Sequence, residues 1–196
     1  GINREDTRTS RAVESTTGEV LSNGEHIVSA PYSSNAGGYT ENVQAVWDIE
    51  QKPHLKGRLD VSSDHRIPDW LTDGVETGEV ERFLSSDIET FSSISPLPSS
   101  SYYRWRERLS RKRLIASFRE AGYQLERIQS IDVLSRGVSG RANKLRLESK
   151  QSFFTIKGEL QIRRILGGLP SSLFVFDVHR GSDKRVSHVT FRGAGF

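Results

Sequence analysis

The chain has no cysteine, which excludes disulfides and thiolate metal sites. That absence leaves the compartment open, since envelope proteins that avoid stray oxidation share it with many cytosolic ones. Methionine is missing too, even at the first position, which is Gly1. With no signal peptide read at its start, the chain is expected to be a processed product or a piece of a longer protein. No apolar run approaches the roughly 18 residues that span a bilayer, so no transmembrane segment is expected. The five histidines, His26, His54, His65, His179 and His188, are scattered and lack the i,i+4 spacing of a helical metal pair. No metal and no cofactor are expected. Apolar residues make up only 34% of the chain, yet they recur at regular spacings, so a core is expected rather than disorder.

Charge of one sign is scarce in each half. Residues 1–98 carry 8 basic and 17 acidic side chains, and residues 99–196 carry 20 basic and 8 acidic. A net of −9 is followed by a net of +12. The basic half suits a polyanion: nucleic acid, an anionic cell-wall polymer or a membrane surface.

The most informative stretch is Tyr32-Ser33-Ser34-Asn35-Ala36-Gly37-Gly38-Tyr39-Thr40-Glu41. Paired glycines permit positive φ and close approach of a ligand to the main chain. Hydroxyls, an amide and a carboxylate surround them, while Lys and Arg are absent. The loop also lacks the Gly-Lys-Ser/Thr ending of a phosphate loop. It fits a neutral ligand rich in hydroxyl or amide groups, although such runs are commonly plain turns. Trp47 is read either as a surface for a sugar ring or as core beside Val43 and Val46. Thr40-Glu41 is read either as ligand contact or as a helix N-terminus.

Local signals give the organisation. Thr9 or Ser10 caps a short helix over Arg11–Thr17, closed by Gly18. Val20-Leu21 and Ile27-Val28 flank Asn23-Gly24, a hairpin signal. Asn42–Trp47 starts a short helix or turn. Residues 48–84 are irregular and acidic. Residues 85–101 hold eight Ser and two Pro and read as a linker or long surface loop. Arg104, Arg106, Arg108, Arg111, Lys112 and Arg113 interleave with Tyr102, Tyr103 and Trp105, a pattern read as a solvated helix face or a nucleic-acid surface. Ser110 caps a helix over Arg111–Ala121. Three strands follow around Ile131/Val133, Leu145/Leu147 and Phe154/Ile156, the first two turning at Gly137–Gly140. A helix over Glu159–Leu166 precedes a hairpin of Leu173–Val178 with Val186–Phe191, where His179 and His188 can meet. The fold class expected is α+β, strand-rich, with mostly antiparallel sheets and a few short helices in two subregions.

Several of these segments, taken in order, resemble the stage II sporulation protein D family, also called the SpoIID/LytB domain. The first is Arg11-Ala12-Val13 through Thr17-Gly18-Glu19-Val20-Leu21. The second is Tyr32–Glu41 running on to Val46-Trp47. The third set is Tyr103-Arg104-Trp105, Ile131-x-Val133, Ser139-Gly140-Arg141 and Ile162-Arg163-Arg164-Ile165-Leu166-Gly167. The last are Ser171-Ser172-Leu173-Phe174 and Gly193-Ala194-Gly195-Phe196. On this resemblance residues 1–84 are the central part of the catalytic core with a glycan-facing loop. Residues 85–101 are the linker or loop, 102–168 a helix-strand subdomain, and 169–196 a hairpin returning to the core.

The resemblance implies binding of peptidoglycan glycan strands at the bacterial cell envelope, periplasmic or extracytoplasmic. In the intact domain it implies lytic transglycosylase cleavage of denuded glycan, leaving 1,6-anhydro ends. The alternative it offers is a non-catalytic amidase enhancer, with an N-acetylmuramoyl amidase or an anionic wall polymer as partner. Nucleic acid is the least expected partner. Cleavage needs a carboxylic acid kept protonated near neutral pH. The family's Glu-bearing segment has no counterpart in residues 1–10, where Glu5-Asp6 is not in its setting, so the catalytic acid is unknown and expected upstream of Gly1. The implied glycan-binding residues are Tyr32, Ser33, Ser34, Asn35, Gly37, Gly38, Tyr39, Thr40, Glu41 and Trp47. Some relatives place zinc near this loop through Cys and His; without Cys, no metal site is expected here.

Overall fold

A computed structural model describes residues 6–47, 49–124, 127–149 and 152–196. Glu5 lies outside that range. The chain divides into two compact units, Gly1–Ser33 and Ser34–Phe196.

In the first unit, α1 spans Thr7–Ser15. The helix starts earlier than the Thr9/Ser10 signal predicts, because Asp6 is the cap: its Oδ1 accepts from the N–H groups of Arg8 and Thr9 at 2.8 and 3.1 Å. The predicted hairpin is reduced to its turn. Ser22 bridges Ile27, and the Val28 N–H donates to Leu21 O at 3.0 Å. Val20, Leu21 and Ile27 all stay exposed, and two strands with no apolar face to bury do not extend.

The second unit is α+β. Its first sheet has strand order β1-β6-β5, built from Trp105–Ser110, Val186–Gly193 and Phe174–Arg180. The second has order β2-β3-β4, built from Ser130–Arg136, Ala142–Glu148 and Phe153–Lys157. Every pairing is antiparallel. The three predicted strands after Ile131 and the final hairpin form as expected. So does helix α5, Arg111–Glu120, with Ser110 Oγ accepting from Arg113 N.

Residues 104–110 correct the sequence reading. Trp105–Ser110 form a strand rather than a helix face. Trp-Arg-Glu-Arg-Leu-Ser alternates with period two, so Trp105 and Leu109 join the core. Arg106, Arg108 and Ser110 stand on the other face opposite Arg192, Thr190 and His188. The aromatics of this stretch are engaged in the fold: Trp105 Nε1 donates to Gly195 O at 3.1 Å, and Tyr103 lies under the Arg104 guanidinium at 4.0 Å. Tyr102 stacks on the Phe196 ring with centroids 4.4 Å apart.

Helices α5 and α6, the latter Glu159–Ile165, join both sheets through one core that includes Leu109, Leu114, Phe118, Leu145, Leu147, Ile162, Phe174 and Phe191. A second cluster gathers Tyr39, Leu59, Leu71, Val75, Val80, Phe83, Leu173 and Ala194. It draws in the region 59–84, where α3 spans Val80–Leu84. The Ser-rich stretch 85–101 is fastened to this unit. It carries α4, Phe91–Ile94, capped by Thr90; Thr90 and Ser92 are buried, and the Ser92 N–H and hydroxyl both donate to the Asp60 carboxylate.

On the outer face of the first sheet His188 stacks on His179 with ring centroids 4.2 Å apart. Desolvation, then Arg108 and His179, lower the His188 pKa below the ordinary 6.5. A histidine depressed in the folded state binds its proton more readily when unfolded, so the fold loses stability as pH falls below about 6.5. Arg108→Ala is expected to move the His188 titration, followed by NMR, upward. Gly193 faces Trp105 across β1–β6, and a Cβ there would meet the indole and Leu173 O, the latter at 2.5 Å. Gly193→Ala is expected to cost about 1–3 kcal/mol in denaturant unfolding, as overpacking does.

Candidate functional site

The carboxylate of Glu41 sits in a cage of donors. Its Oε1 accepts from Asn42 N at 2.8 Å and Val138 N at 3.1 Å. Its Oε2 accepts from Ser139 N at 3.2 Å and Ser139 Oγ at 2.6 Å. Three of these four bonds come from the β2–β3 turn, about a hundred residues away in sequence. The turn can approach because Gly137 has no side chain: a Cβ there would collide with the Glu41 carboxylate.

Two guanidiniums fix the loop before Glu41. Arg141 Nη2 donates to Ala36 O at 2.9 Å, and its Nη1 donates to Tyr39 O at 2.8 Å and Ser139 Oγ at 2.9 Å. Arg104 Nη1 donates to Gly37 O at 3.0 Å, while the rest of its head reaches Leu84 O and Phe83 O. Burial pulls both arginines below their ordinary pKa, with Glu41 and then Glu159 opposing the shift at Arg141; both stay cationic near neutral pH. Gly37 and Gly38 have φ of +69° and +98°. A Cβ on Gly37 would meet the Ala194 and Gly195 main chain at 2.8 Å. Beside that contact, Asn35 and Phe196 exchange backbone hydrogen bonds at 2.9 and 3.4 Å.

This geometry turns several residues of the predicted site toward the protein itself. Asn35 and Tyr39 are buried, at 4% exposure each, and both glycines are buried too. The Gly37 N–H donates to Asn35 Oδ1 at 2.8 Å, and the Asn35 amide donates to Ser92 O at 3.2 Å. Thr40 Oγ1 bonds the Arg58 main chain in both directions, at 3.1 and 2.9 Å. These groups hold the loop's shape. Glu41 caps no helix; it caps the β2–β3 turn. Tyr32 and Ser33 belong to the N-terminal unit and are exposed, and Ser34 is exposed at the start of the larger unit. Trp47 follows α2, Val43–Val46, and is 55% exposed, so the core reading of it is set aside. Ser139 and Arg141, quoted as sequence matches, turn out to be the loop's main partners. No spacing in the sequence signals that contact.

Two further concavities lie in the described residues. An acidic cleft of about 160 Å³ is lined by Asp69, Trp70, Asp73, Gly74, Glu76 and Glu79, with Arg82 over Trp70 at 4.2 Å. A cavity of about 260 Å³ is lined by Arg111, Ile115, Arg127, Ile128, Arg185 and Val186. Asp183 lies 3.6 Å from both Arg111 and Arg185. Among the described residues, no group of three or more His, Cys, Asp or Glu is placed to hold a metal ion. No described helix is long and apolar enough to cross a membrane.

Residues 41–196 match the family described as "Domain of unknown function (DUF8618)". The chain belongs to that family. No curated protein and no solved structure matches it. The stretch shared with DUF8618 opens at Glu41 itself and contains the turn that cages it, so the Glu41–Ser139 contact lies wholly within the family's domain, while the glycine pair lies just before it.

Glu41→Gln is expected to lower the unfolding free energy by about 2–3 kcal/mol, the worth of hydrogen bonds to a charged acceptor. Because Ser139→Ala removes part of the same network, the double variant is expected to lose less than the sum of the single ones. Denaturant titrations of the four proteins measure both quantities.

Proposed function

We propose that this chain binds peptidoglycan glycan strands at the bacterial cell envelope, on the surface around residues 34–47. One observation carries the reading. Three stretches that resemble SpoIID/LytB motifs lie far apart in sequence and are joined in one platform: Asn35–Glu41 to Ser139-Gly140-Arg141, and Asn35 to the Gly193–Phe196 segment. A platform fixed this firmly can hold a polymer at low entropic cost, because little of it orders on binding. Trp47 supplies the exposed aromatic face that a sugar ring packs on, and Ser34 adds an exposed hydroxyl.

Cleavage to 1,6-anhydro ends is proposed for a domain that also supplies the general acid. Glu41 is not that acid. Its two oxygens accept four hydrogen bonds and leave no O–H to give to a glycosidic oxygen. The same engagement favours a second reading, a non-catalytic enhancer that binds the wall and stimulates a separate amidase.

Co-sedimentation of this chain with purified denuded glycan is expected to show binding without release of anhydro-ended fragments. Trp47→Ala is expected to weaken binding about fivefold or more while leaving thermal stability within a few degrees, since the ring is exposed. Release of anhydro-ended fragments by this chain alone contradicts the absence of an acid, and failure to bind glycan contradicts the reading itself. Stimulation of an added amidase on whole sacculi selects the enhancer.

A further inference from the structure

The cavity of about 260 Å³ at the start of α5 shares no residue with the platform around Glu41. Three cations line it, Arg111, Arg127 and Arg185, together with the apolar Ile115, Ile128 and Val186. Ile128 and Val186 are buried members of the first core cluster, and Ile115 packs against it. These three residues form a dry floor. All three arginines are exposed, so a solute reaches them.

Each wall is fixed before any ligand arrives. Arg111 opens α5, whose first turn is capped by Ser110 Oγ. The turn before β6 is closed by the Gly181 N–H donating to Arg185 O at 2.8 Å and the Arg185 N–H donating to Asp183 Oδ1 at 3.0 Å. Arg180 ties that turn to the segment carrying Arg127. Its guanidinium donates to Gln129 O at 2.7 Å and to Lys184 O at 3.3 Å. Walls held this way have little to order on binding.

The charge of the cavity is lopsided. The Asp183 carboxylate lies 3.6 Å from both Arg111 and Arg185, distances that suit an ion pair and are too long for a hydrogen bond. Arg127 has no ion pair or hydrogen bond among the described residues. Three cations against one carboxylate leave a net of +2. The helix adds to that field. Arg111, Lys112 and Arg113 stand in the first turn of α5, which holds no acidic residue, and the helix dipole is positive at that end. Like charges gathered this closely repel one another, and an anion relieves the repulsion.

We infer that this cavity is a binding site for an organic phosphate, with the three guanidiniums holding a phosphate monoester and the apolar floor taking its carbon body. The inference is independent of the glycan reading and adds a second site to the same unit. A carboxylate brings one charge and two oxygens. A phosphate monoester brings about −1.5 to −2 near neutral pH and three terminal oxygens, which match the net charge and the number of guanidiniums. Arginine is suited to the task, since its planar fork pairs with phosphate oxygens two at a time. The space is sufficient, because an apolar cavity of about 150 Å³ already admits benzene.

The test is a titration of the full chain at constant ionic strength, followed by the NMR signals of the Arg111, Arg127 and Arg185 side chains. Four probes are compared: phenyl phosphate, methyl phenyl phosphate, benzoate and inorganic phosphate. Phenyl phosphate is expected to saturate the shifts and to bind about tenfold or more tighter than the other three. The diester and benzoate lack its second charge, and inorganic phosphate lacks its apolar body. Arg127→Gln is expected to weaken phenyl phosphate about fivefold or more. Asp183→Asn keeps an oxygen for the Arg185 N–H and removes the competing charge, so it is expected to tighten binding about threefold or more. That gain is not what a merely structural role of Asp183 would give. Absence of a saturable shift with phenyl phosphate overturns the site. Equal binding of benzoate or of the diester overturns the monoester, and equal binding of inorganic phosphate overturns the part given to the floor. Weaker binding by a folded Asp183→Asn overturns the placing of the phosphate between Arg111 and Arg185. The wild-type comparison of the four probes decides the matter even where a variant does not fold, and glycan binding is measured separately from all of them.

Discussion

The hydrogen bonds between one carboxylate and one turn hold this structure's central platform together. Glu41 gathers the N–H groups of Val138 and Ser139 and the Ser139 hydroxyl, and so fixes the β2–β3 turn against the loop before it. Arg141, two residues beyond Ser139, then has its guanidinium within reach of Ala36 O and Tyr39 O. Ser139 Oγ links the two, donating to Glu41 and accepting from Arg141. The network is charge-assisted throughout and almost closed, which is the condition under which buried polar groups rigidify a fold rather than weaken it.

Around that network the backbone runs closer than side chains normally permit. Gly137 lies on the Glu41 carboxylate, and Gly37 on the main chain of Ala194-Gly195. The second apolar cluster, with Tyr39, Phe83, Leu173 and Ala194, packs directly beneath. A polar loop becomes a rigid support this way: its carbonyls are claimed by Arg104 and Arg141, its side chains by Ser92 and Arg58, and Tyr39 anchors it in the core. Less of this stretch stays exposed than its composition suggests, though Ser34 and Trp47 do.

Much of the larger unit was legible in the sequence because its signals are local. Ser110 before an apolar stripe marks α5. Alternation at Ile131/Val133 and Leu145/Leu147 around a Gly-containing turn marks the second sheet, and Gly181-Ser182-Asp183 marks the β5–β6 hairpin. β1 was not legible. Its alternation covers six residues rich in arginine, and its partner β6 begins some eighty residues later, so only pairing with β6 decides strand over helix. The Ser-rich stretch 85–101 was obscure for the same reason: the Asp60 carboxylate that fastens it lies about thirty residues upstream.

By itself the sequence determined the fold class, most element positions, the absence of thiol chemistry and the glycine pair that lets the Tyr32–Glu41 stretch turn tightly. Those follow from propensity, periodicity and composition, which act over a few residues. Tertiary structure alone decided what that stretch does. Hydroxyls and amides that could meet a sugar or the protein look the same in a sequence. Their burial, and the guanidiniums that arrive from about seventy and a hundred residues away, assign most of them to the protein.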